Sequence, residues 1–140
     1  MVQNYYAELY YHFVWRTKGS LRLITPNLEI RLRAAIKTKC VELGVHCIEV
    51  GGTDDHVHLL VSAPPTVLLS DFIGKLKGST SHCVNHELRL APRFQWGEGY
   101  GVLSMAKRNV AAVRRYVQNQ KFHHSRNSAN ATMERCAPAG

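Results

Sequence analysis

Two histidines separated by a single residue are the first feature of this chain that suggests chemistry. In the stretch TDDHVHLLVS, His56 and His58 flank Val57, and apolar residues follow them. Side chains alternate across a strand, so both imidazoles point to one face and Val57 to the other. One interpretation is a surface strand that happens to carry histidines, and the other is a pair of metal ligands, because neutral imidazole suits several divalent metals. The second interpretation requires a further ligand from elsewhere in the chain.

A second candidate set lies near the C-terminus, in NVAAVRRYVQNQKFHH. Val110, Val113 and Val117 have helical spacing and form an apolar stripe, while Tyr116 and Gln120 are four residues apart and share a neighbouring face. If this helix packs over the histidine strand, the amide oxygen of Gln120 can complete a His, His, Gln metal set. The hydroxyl of Tyr116 can then point at whatever the metal holds. The ordinary alternative is a partly buried tyrosine with a solvated hydroxyl beside a surface glutamine.

Charge and length limit the possible functions. A chain of 140 residues is expected to form one domain, and its formal charge of +8 with a pI near 9.6 favours a polyanionic partner, above all nucleic acid. No apolar stretch approaches the roughly 20 residues of a spanning helix. The N-terminus lacks a basic leader and a small-residue cleavage site, so the expected location is the cytoplasm.

The cysteines and a further histidine pair offer weaker metal candidates. Four cysteines without C-x-x-C spacing are typical of reduced thiols, and not of a disulfide framework or a zinc cage: Cys40, Cys47, Cys83 and Cys136. His82 and His86 are four residues apart on a predicted helix and can bind zinc in principle. A solvated or DNA-facing helix surface is the favoured interpretation, because no glutamate lies between them and no cysteine pair completes the set.

The elements that would position these side chains alternate simply. The pattern predicts a first strand over 5–17, a helix over 25–44, an antiparallel hairpin with its turn at Gly51 to Asp54, a second helix from Thr66 to about Leu88, a short hairpin or bulged strand around 94–105, and a third helix over 107–124. This order predicts an α+β, ferredoxin-like (RRM-like) split βαβ sandwich with an antiparallel sheet. The first two helices cover one sheet face, and the additional C-terminal helix carries the tyrosine. Residues 1–125 form the domain, and the apolar-poor residues 126–140 form a flexible tail.

Several motifs, in this order, carry a family resemblance. DHVHLLV is followed by the basic helix KLKGSTS, then by QWGEGYGVLS and by VRRYVQNQ. This pattern resembles the single-tyrosine transposases of small bacterial insertion sequences, in the HUH nuclease superfamily, from about Tyr11 to His124. The resemblance implies that His56, His58 and Gln120 are metal ligands and that Tyr116 is the nucleophile. Transposases associated with repetitive extragenic palindromes share this core, so the subgroup stays open.

The resemblance also implies an activity and an assembly. A divalent ion, Mg²⁺ or Mn²⁺, would assist the cutting and rejoining of hairpin-bearing single-stranded DNA through a covalent 5′-phosphotyrosine, leaving a free 3′-hydroxyl. Relatives of this size imply a homodimer whose tyrosine helix completes the partner's site in trans, with a monomer completed in cis as the alternative. The aromatic-rich first strand, expected at a sheet edge, is the predicted dimer contact.

Basic residues provide the predicted DNA contacts. Phosphate contacts are expected from residues around the first strand and the second helix, and three further cations flank the tyrosine: Arg16, Lys18, Arg22, Lys75, Lys77, Arg114, Arg115 and Lys121. The alternative for each is a solvated charge. Two other functions fit parts of the pattern. A non-catalytic RRM-type nucleic-acid-binding domain leaves the histidine pair unexplained, and a hydrolytic metal-dependent nuclease does not need Tyr116.

Overall fold

Four strands and four helices follow one another in the predicted order, apart from a break in the last predicted helix, in a computed structural model of the chain, which describes residues 4–89 and 93–137. The elements are β1 (Tyr10–Arg16), α1 (Pro26–Glu42), β2 (His46–Gly52), β3 (His56–Ser62), α2 (Leu69–Leu88), β4 (Gly101–Met105), α3 (Val110–Gln118) and α4 (Gln120–Ser125), with 3₁₀ turns at Lys18–Ser20 and Lys107–Asn109. The hydroxyl of Thr25 accepts a hydrogen bond from the Leu28 amide and Pro26 opens α1, as their positions predict. Over the described ranges, no helix is both long and apolar enough to cross a membrane.

The strands form one antiparallel sheet in the order β2-β3-β1-β4. This is the strand order of a split βαβ fold, so the predicted α+β class is confirmed. The predicted edge position of the first strand is wrong, because β1 pairs with β3 on one side and with β4 on the other. Its aromatic residues serve the core, since Phe13 and Trp15 are fully buried. Aromatic composition marks a central strand as readily as an edge strand, and β1 therefore cannot be an edge-to-edge dimer contact.

The two faces of the sheet are covered differently. One face packs against α1 and α2 and forms the main hydrophobic core, which includes Phe13, Trp15, Val57, Leu59 and Val61. The opposite face carries His12, His56 and His58, and Leu60 there packs against Val113 and Val117 of α3. The alternation of side chains along β1 and β3 produces this division.

The hairpin between β2 and β3 turns later than predicted. Strand β2 continues through Gly51 and Gly52, and the chain reverses only at 53–55, so the predicted turn at Gly51 is wrong. Gly51 has a different role, because a Cβ at this position would collide with the backbone carbonyl of Val117. The glycine thus lets α3 approach β2 closely, and this brings the residues that follow α3 over the histidines.

The last helix is interrupted, although the pattern predicts one continuous helix. After the 3₁₀ turn, α3 ends at Gln118, and α4 begins at Gln120 after Asn119, whose φ of −105° and ψ of 28° depart from helical values. The short hairpin or bulged strand predicted around 94–105 is observed as β4 and one isolated bridge between Thr17 and Trp96.

Candidate metal and tyrosine site

Strand β3 places His56 and His58 side by side on the face opposite the core, where both are almost completely buried. His56 is held by its neighbours, because its Nδ1 lies 2.7 Å from Oδ1 of Asp55 and 2.9 Å from Oγ1 of Thr53. An Nδ1–H that donates to the carboxylate fixes the ring and directs Nε2 towards α4. A carboxylate behind a histidine is a common support for a metal-ligating imidazole.

His58 is supported by a third buried histidine. Its Nδ1 lies 2.7 Å from Nε2 of His12 on β1, and the two rings stack with centroids 4.9 Å apart. Burial and the neighbouring His58 lower the pKa of His12 to about 3, so His12 is neutral, with one ring nitrogen that can donate a hydrogen bond and one that can accept. The sequence prediction omits His12, although alternation along YHFVW places it opposite Phe13 and on the face of the histidine pair.

The imidazoles of His56, His58 and His124 converge on one carboxylate oxygen. Oε1 of Glu134 lies 3.1, 3.0 and 3.1 Å from their respective Nε2 atoms, and these four groups offer ligand atoms that all lie within 4.8 Å of one another. Imidazole and carboxylate are both common ligands of divalent metals. The cluster can therefore hold a metal ion.

Gln120 lies beside His56, and its role as a metal ligand stays a prediction. As the first residue of α4 it is buried, its Oε1 lies 3.2 Å from Nε2 of His56, and its amide nitrogen donates to the carbonyl of Tyr116 at 3.2 Å. His124 is missing from the sequence prediction, although it lies four residues after Gln120 and its spacing on a helix was an available signal.

Glu134 has no comparable sequence signal. It belongs to the segment predicted to be a flexible tail, yet residues 126–137 lie against the site in the structure. The low apolar content of this segment predicts little core burial, but its contacts here are mostly polar and backbone contacts, which composition does not reveal. The boundary at 125 and the mobility of the tail stay predictions.

Tyr116 projects from α3 against the edge of the His58 ring of its own chain, with ring centroids 5.8 Å apart. Its hydroxyl donates to Oε2 of Glu134 and accepts the backbone amide of Asn130 at 2.8 Å. Burial and the Glu134 carboxylate raise the pKa of Tyr116 to about 12. The phenol is therefore protonated and engaged both as donor and as acceptor in this arrangement.

The neighbouring charges set the protonation of the cluster. Burial disfavours a charged His56, but the carboxylates of Glu134 and Asp55 outweigh burial and raise its pKa. For His58 burial prevails over Glu134, and its pKa is lowered. Glu134 is itself half-buried, yet hydrogen bonds from His56 and His58 hold its pKa far below the usual range and keep it ionised.

Most of the predicted DNA-contacting cations have protein partners. Five of them lie within 4 Å of a carboxylate: Arg16 with Asp55 (3.5 Å), Arg22 with Asp54 (3.7 Å), Lys75 with Asp71 (2.9 Å), Arg114 with Glu49 (3.1 Å) and Lys121 with Glu29 (2.8 Å). Lys77 donates to the carbonyls of Gly97 and Gly99 at 2.8 and 2.9 Å, and Arg115 is exposed on α3. Six of the eight predicted cations therefore have partners within the chain, and their contacts with DNA stay a prediction.

A separate basic groove lies between α2 and residues 93–98. Its volume is about 600 Å³, and its lining includes Lys18, Lys77, Arg93 and Trp96. His82 and His86 stack next to this groove with ring centroids 5.7 Å apart. Within the described ranges they belong to no group of three or more metal-ligating side chains.

Comparison with known proteins identifies relatives that share most of the chain. The chain is 24% identical over 123 residues to the ISDra2 transposase TnpA of Deinococcus radiodurans, and the match covers 84% of this chain and 88% of that protein. It is 26% identical over 115 residues to the transposase for insertion sequence element IS200 of Salmonella typhimurium, covering 79% and 75% respectively. These relatives agree with the resemblance that the motifs carry.

Solved structures agree on the fold. A Deinococcus radiodurans structure has a TM-score of 0.69 with this chain at 24% identity, over 86% of this chain and 96% of the other. A REP-associated tyrosine transposase bound to a REP hairpin has a TM-score of 0.64 at 11% identity, over 92% and 75%. The family described as "Transposase IS200 like" matches residues 5–120. The chain is therefore a member of the IS200-like transposase family.

Proposed function

We propose that this transposase cuts and rejoins single-stranded DNA through a covalent bond between Tyr116 and a DNA 5′-phosphate. One observation carries the proposal: the phenol of Tyr116 lies against the ring of His58, which belongs to a cluster of four side chains that can hold a metal ion. A hydrolytic nuclease would need the metal-ligating groups without the tyrosine, and a binding module would need neither. The substrates are the hairpin-marked ends of a mobile element or, alternatively, palindromic repeats in the chromosome.

We assign His56, His58 and Gln120 as ligands of Mg²⁺ or Mn²⁺, with His124 as an additional donor. The support is that their donor atoms converge while the Nδ1 atoms of His56 and His58 are occupied by Asp55 and His12. A divalent ion bound there supplies a Lewis acid for a phosphate oxygen and stabilises the charge that develops in the transition state.

Tyr116 performs the covalent step. Its oxygen forms a bond to phosphorus and loses its proton, while the bond from phosphorus to the 3′ oxygen breaks and that oxygen leaves as a 3′-hydroxyl. No water is consumed, and the phosphotyrosine conserves the bond energy for rejoining. A free tyrosine with a pKa near 10 is about 4 kcal/mol from its phenolate at pH 7, so the site must favour deprotonation when substrate is bound.

The basic groove is the proposed path for the DNA backbone beyond the site. Lys18 and Lys77, two of the predicted phosphate contacts, line it together with Arg93. Trp96 is fixed at its wall, because its indole N–H donates to Thr80 at 3.1 Å, and it offers a ring surface on which a base can stack. The neighbouring backbone amide of Gly97 donates to the carbonyl of Arg16 at 2.8 Å. Arg16 is the last residue of β1 and pairs with His56 of β3, so the groove lies next to the histidine site.

A denaturing gel tests the covalent step. A labelled single strand with a hairpin and a randomised flank is incubated with the protein and Mn²⁺, and Tyr116→Phe is compared with Tyr11→Phe, a core-facing tyrosine. We expect a protein-linked DNA band for the wild type and for Tyr11→Phe, and its complete loss in Tyr116→Phe, because only the attacking oxygen is removed. Free cleaved DNA without linkage would instead indicate a hydrolytic nuclease, and intact DNA a binding module.

We further propose a homodimer in which the tyrosine helix of one subunit completes the site of its partner. Residues 106–109 connect β4 to α3 without strand pairing, so the same helix can dock on either subunit, and a two-fold dimer supplies two sites through one symmetric interface. Mixing Tyr116→Phe protein with His56→Ala, His58→Ala protein tests the proposal, because trans sharing restores one intact site per heterodimer. Absence of covalent product despite demonstrated subunit exchange would place the site within one chain.

A further inference from the structure

The C-terminal segment, residues 126–137, packs its backbone against glycines at and just before β4. This segment lies beyond the part of the chain that matches the family. A Cβ at Gly101 of β4 would collide with the carbonyl oxygen of Arg135. A Cβ at Gly99 would lie 3.3 Å from the carbonyl oxygen of Cys136. The two glycines therefore leave room for the backbone of the segment, which side chains at these positions would crowd.

A local turn presents the next part of the segment to the site. The side-chain oxygen of Asn130 accepts the amides of Thr132 and Met133 at 3.0 and 3.2 Å. This pattern is a side-chain-capped turn of the kind that asparagine forms readily. Met133 packs against the small hydrophobic cluster under α3, and the backbone amide of Asn130 donates to the Tyr116 hydroxyl at 2.8 Å. The turn and these contacts fix the position of Glu134.

The carboxylate of Glu134 contacts both halves of the reaction centre. One oxygen lies 3.0 to 3.1 Å from the Nε2 atoms of His56, His58 and His124, and the other accepts the hydroxyl of Tyr116. A scissile phosphate has the same two requirements, since one of its oxygens must meet the metal-ligating cluster while phosphorus lies within reach of the tyrosine oxygen.

We propose that the C-terminal segment is an internal plug in which the anionic Glu134 carboxylate occupies the place of the scissile phosphate until a DNA strand displaces it. The proposal rests on the proposed function for the identity of the competing anion. It assigns the segment a regulatory role: the closed state is built from the chain itself, and cleavage requires its release.

One feature favours a displaceable plug over a permanent ligand. The Tyr116 hydroxyl is engaged on both sides by the segment, because it donates to the Glu134 carboxylate and accepts the backbone amide of Asn130. A hydroxyl in this state cannot attack phosphorus, so the docked segment and the reacting tyrosine exclude each other.

Two substitutions open the plug by different routes. Glu134→Gln removes the charge that faces the histidines. Gly101→Ala places a methyl group where the backbone carbonyl of Arg135 lies, without altering any group at the site. Glu87→Gln is the matched control for charge, because Glu87 pairs with Arg31 at 3.9 Å between α1 and α2. Thr132→Ala is the control within the segment, where that side chain is exposed.

Cys136 supplies a readout that does not depend on catalysis. Its thiol is half-buried in the docked segment, so its alkylation rate, measured by peptide mass spectrometry, reports release. With EDTA present to prevent cleavage, we expect alkylation to be about tenfold faster in Glu134→Gln and Gly101→Ala, as for a minor open state that becomes dominant. Addition of a single strand with a hairpin and a randomised flank should produce the same acceleration in the wild type.

The rate of covalent linkage with Mn²⁺ gives the second measurement. We expect both opening variants to form the DNA-linked product about tenfold faster than the wild type, with both controls unchanged. Equal or slower linkage in both opening variants would overturn the plug while leaving the transposase proposal intact. Failure of the DNA strand to accelerate Cys136 alkylation would also overturn it. Release of Cys136 without linkage in any variant would instead count against the proposed function.

Discussion

The two faces of β3 differ in what holds them together. On one face Val57, Leu59 and Val61 are buried against α1 and α2, two helices of 17 and 20 residues. On the other face His56 and His58 are equally buried, but their cover consists of α3, α4 and a segment with no helix or strand. Burial of apolar groups needs only matching volume, whereas each buried polar group needs its own partner.

That requirement explains why the histidine face draws residues from distant parts of the chain. His58 is supported by His12 from β1, His56 by the adjacent Asp55, and Glu134 arrives from the C-terminal segment. In the described part of the chain, two buried side-chain nitrogen atoms have no partner, His12 Nδ1 and Trp15 Nε1. The apolar face thus provides stability through volume, and the histidine face provides chemistry through specific contacts.

The largest expected effect removes the histidine pair. Loss of a partner behind a metal ligand commonly costs about 10–100-fold in affinity, so loss of two direct ligands in His56→Ala, His58→Ala should weaken Mn²⁺ binding by more than about 100-fold. Covalent cleavage should disappear as well. Hairpin binding should persist, because phosphate contacts lie mostly elsewhere. Titration calorimetry with Mn²⁺ measures the first effect, and an unchanged affinity would refute the ligand assignment.

A substitution on the opposite face should reverse this pattern. Leu59 is fully buried in the main core, and truncation of such a residue to alanine typically costs about 2–5 kcal/mol of unfolding free energy. In Leu59→Ala we expect a lower urea midpoint with an unchanged slope, while the folded fraction retains its Mn²⁺ affinity. A large loss of Mn²⁺ affinity in the folded protein would show that the two faces are not independent.

The difference between the faces also explains how much the sequence could predict. Periodicity located the strands, the helices and the division of β3 into two faces, since apolar burial leaves a regular pattern. The motifs predicted one common site for His56, His58, Tyr116 and Gln120. The family match over residues 5–120 confirms the resemblance that the motifs carry. His56 and His58 lie on one strand, where alternation fixes their direction, whereas Tyr116 and Gln120 lie on α3 and α4, on either side of the break at Asn119.

The residues that the sequence did not reveal depend on tertiary contacts. The central position of β1 depends on the pairing of β4, which the local composition of 5–17 does not specify. The break between α3 and α4 lies at Asn119, and neither a proline nor a glycine stands there to indicate the end of a helix. Glu134 is positioned by the turn at Asn130 and by the close packing of Arg135 against Gly101 of β4. These two features are distant in sequence and meet only in the folded chain.

The smallest expected effect concerns His12, where the two faces meet on β1. His12 lies between Tyr11 and Phe13 in sequence, and its Nε2 bonds to Nδ1 of His58 while its own Nδ1 is unpartnered. Phenylalanine has a similar ring, so His12→Phe should fold, but it leaves the buried Nδ1 of His58 without its partner, and the thermal midpoint should fall modestly. Without its support the His58 ring loses a fixed orientation, and Mn²⁺ affinity should fall by about 10–100-fold. Tyr11→Phe, one residue away and facing the core, should leave the affinity unchanged. A wild-type affinity in a folded His12→Phe protein would show that β3 and the opposing ligands orient His58 without help from β1.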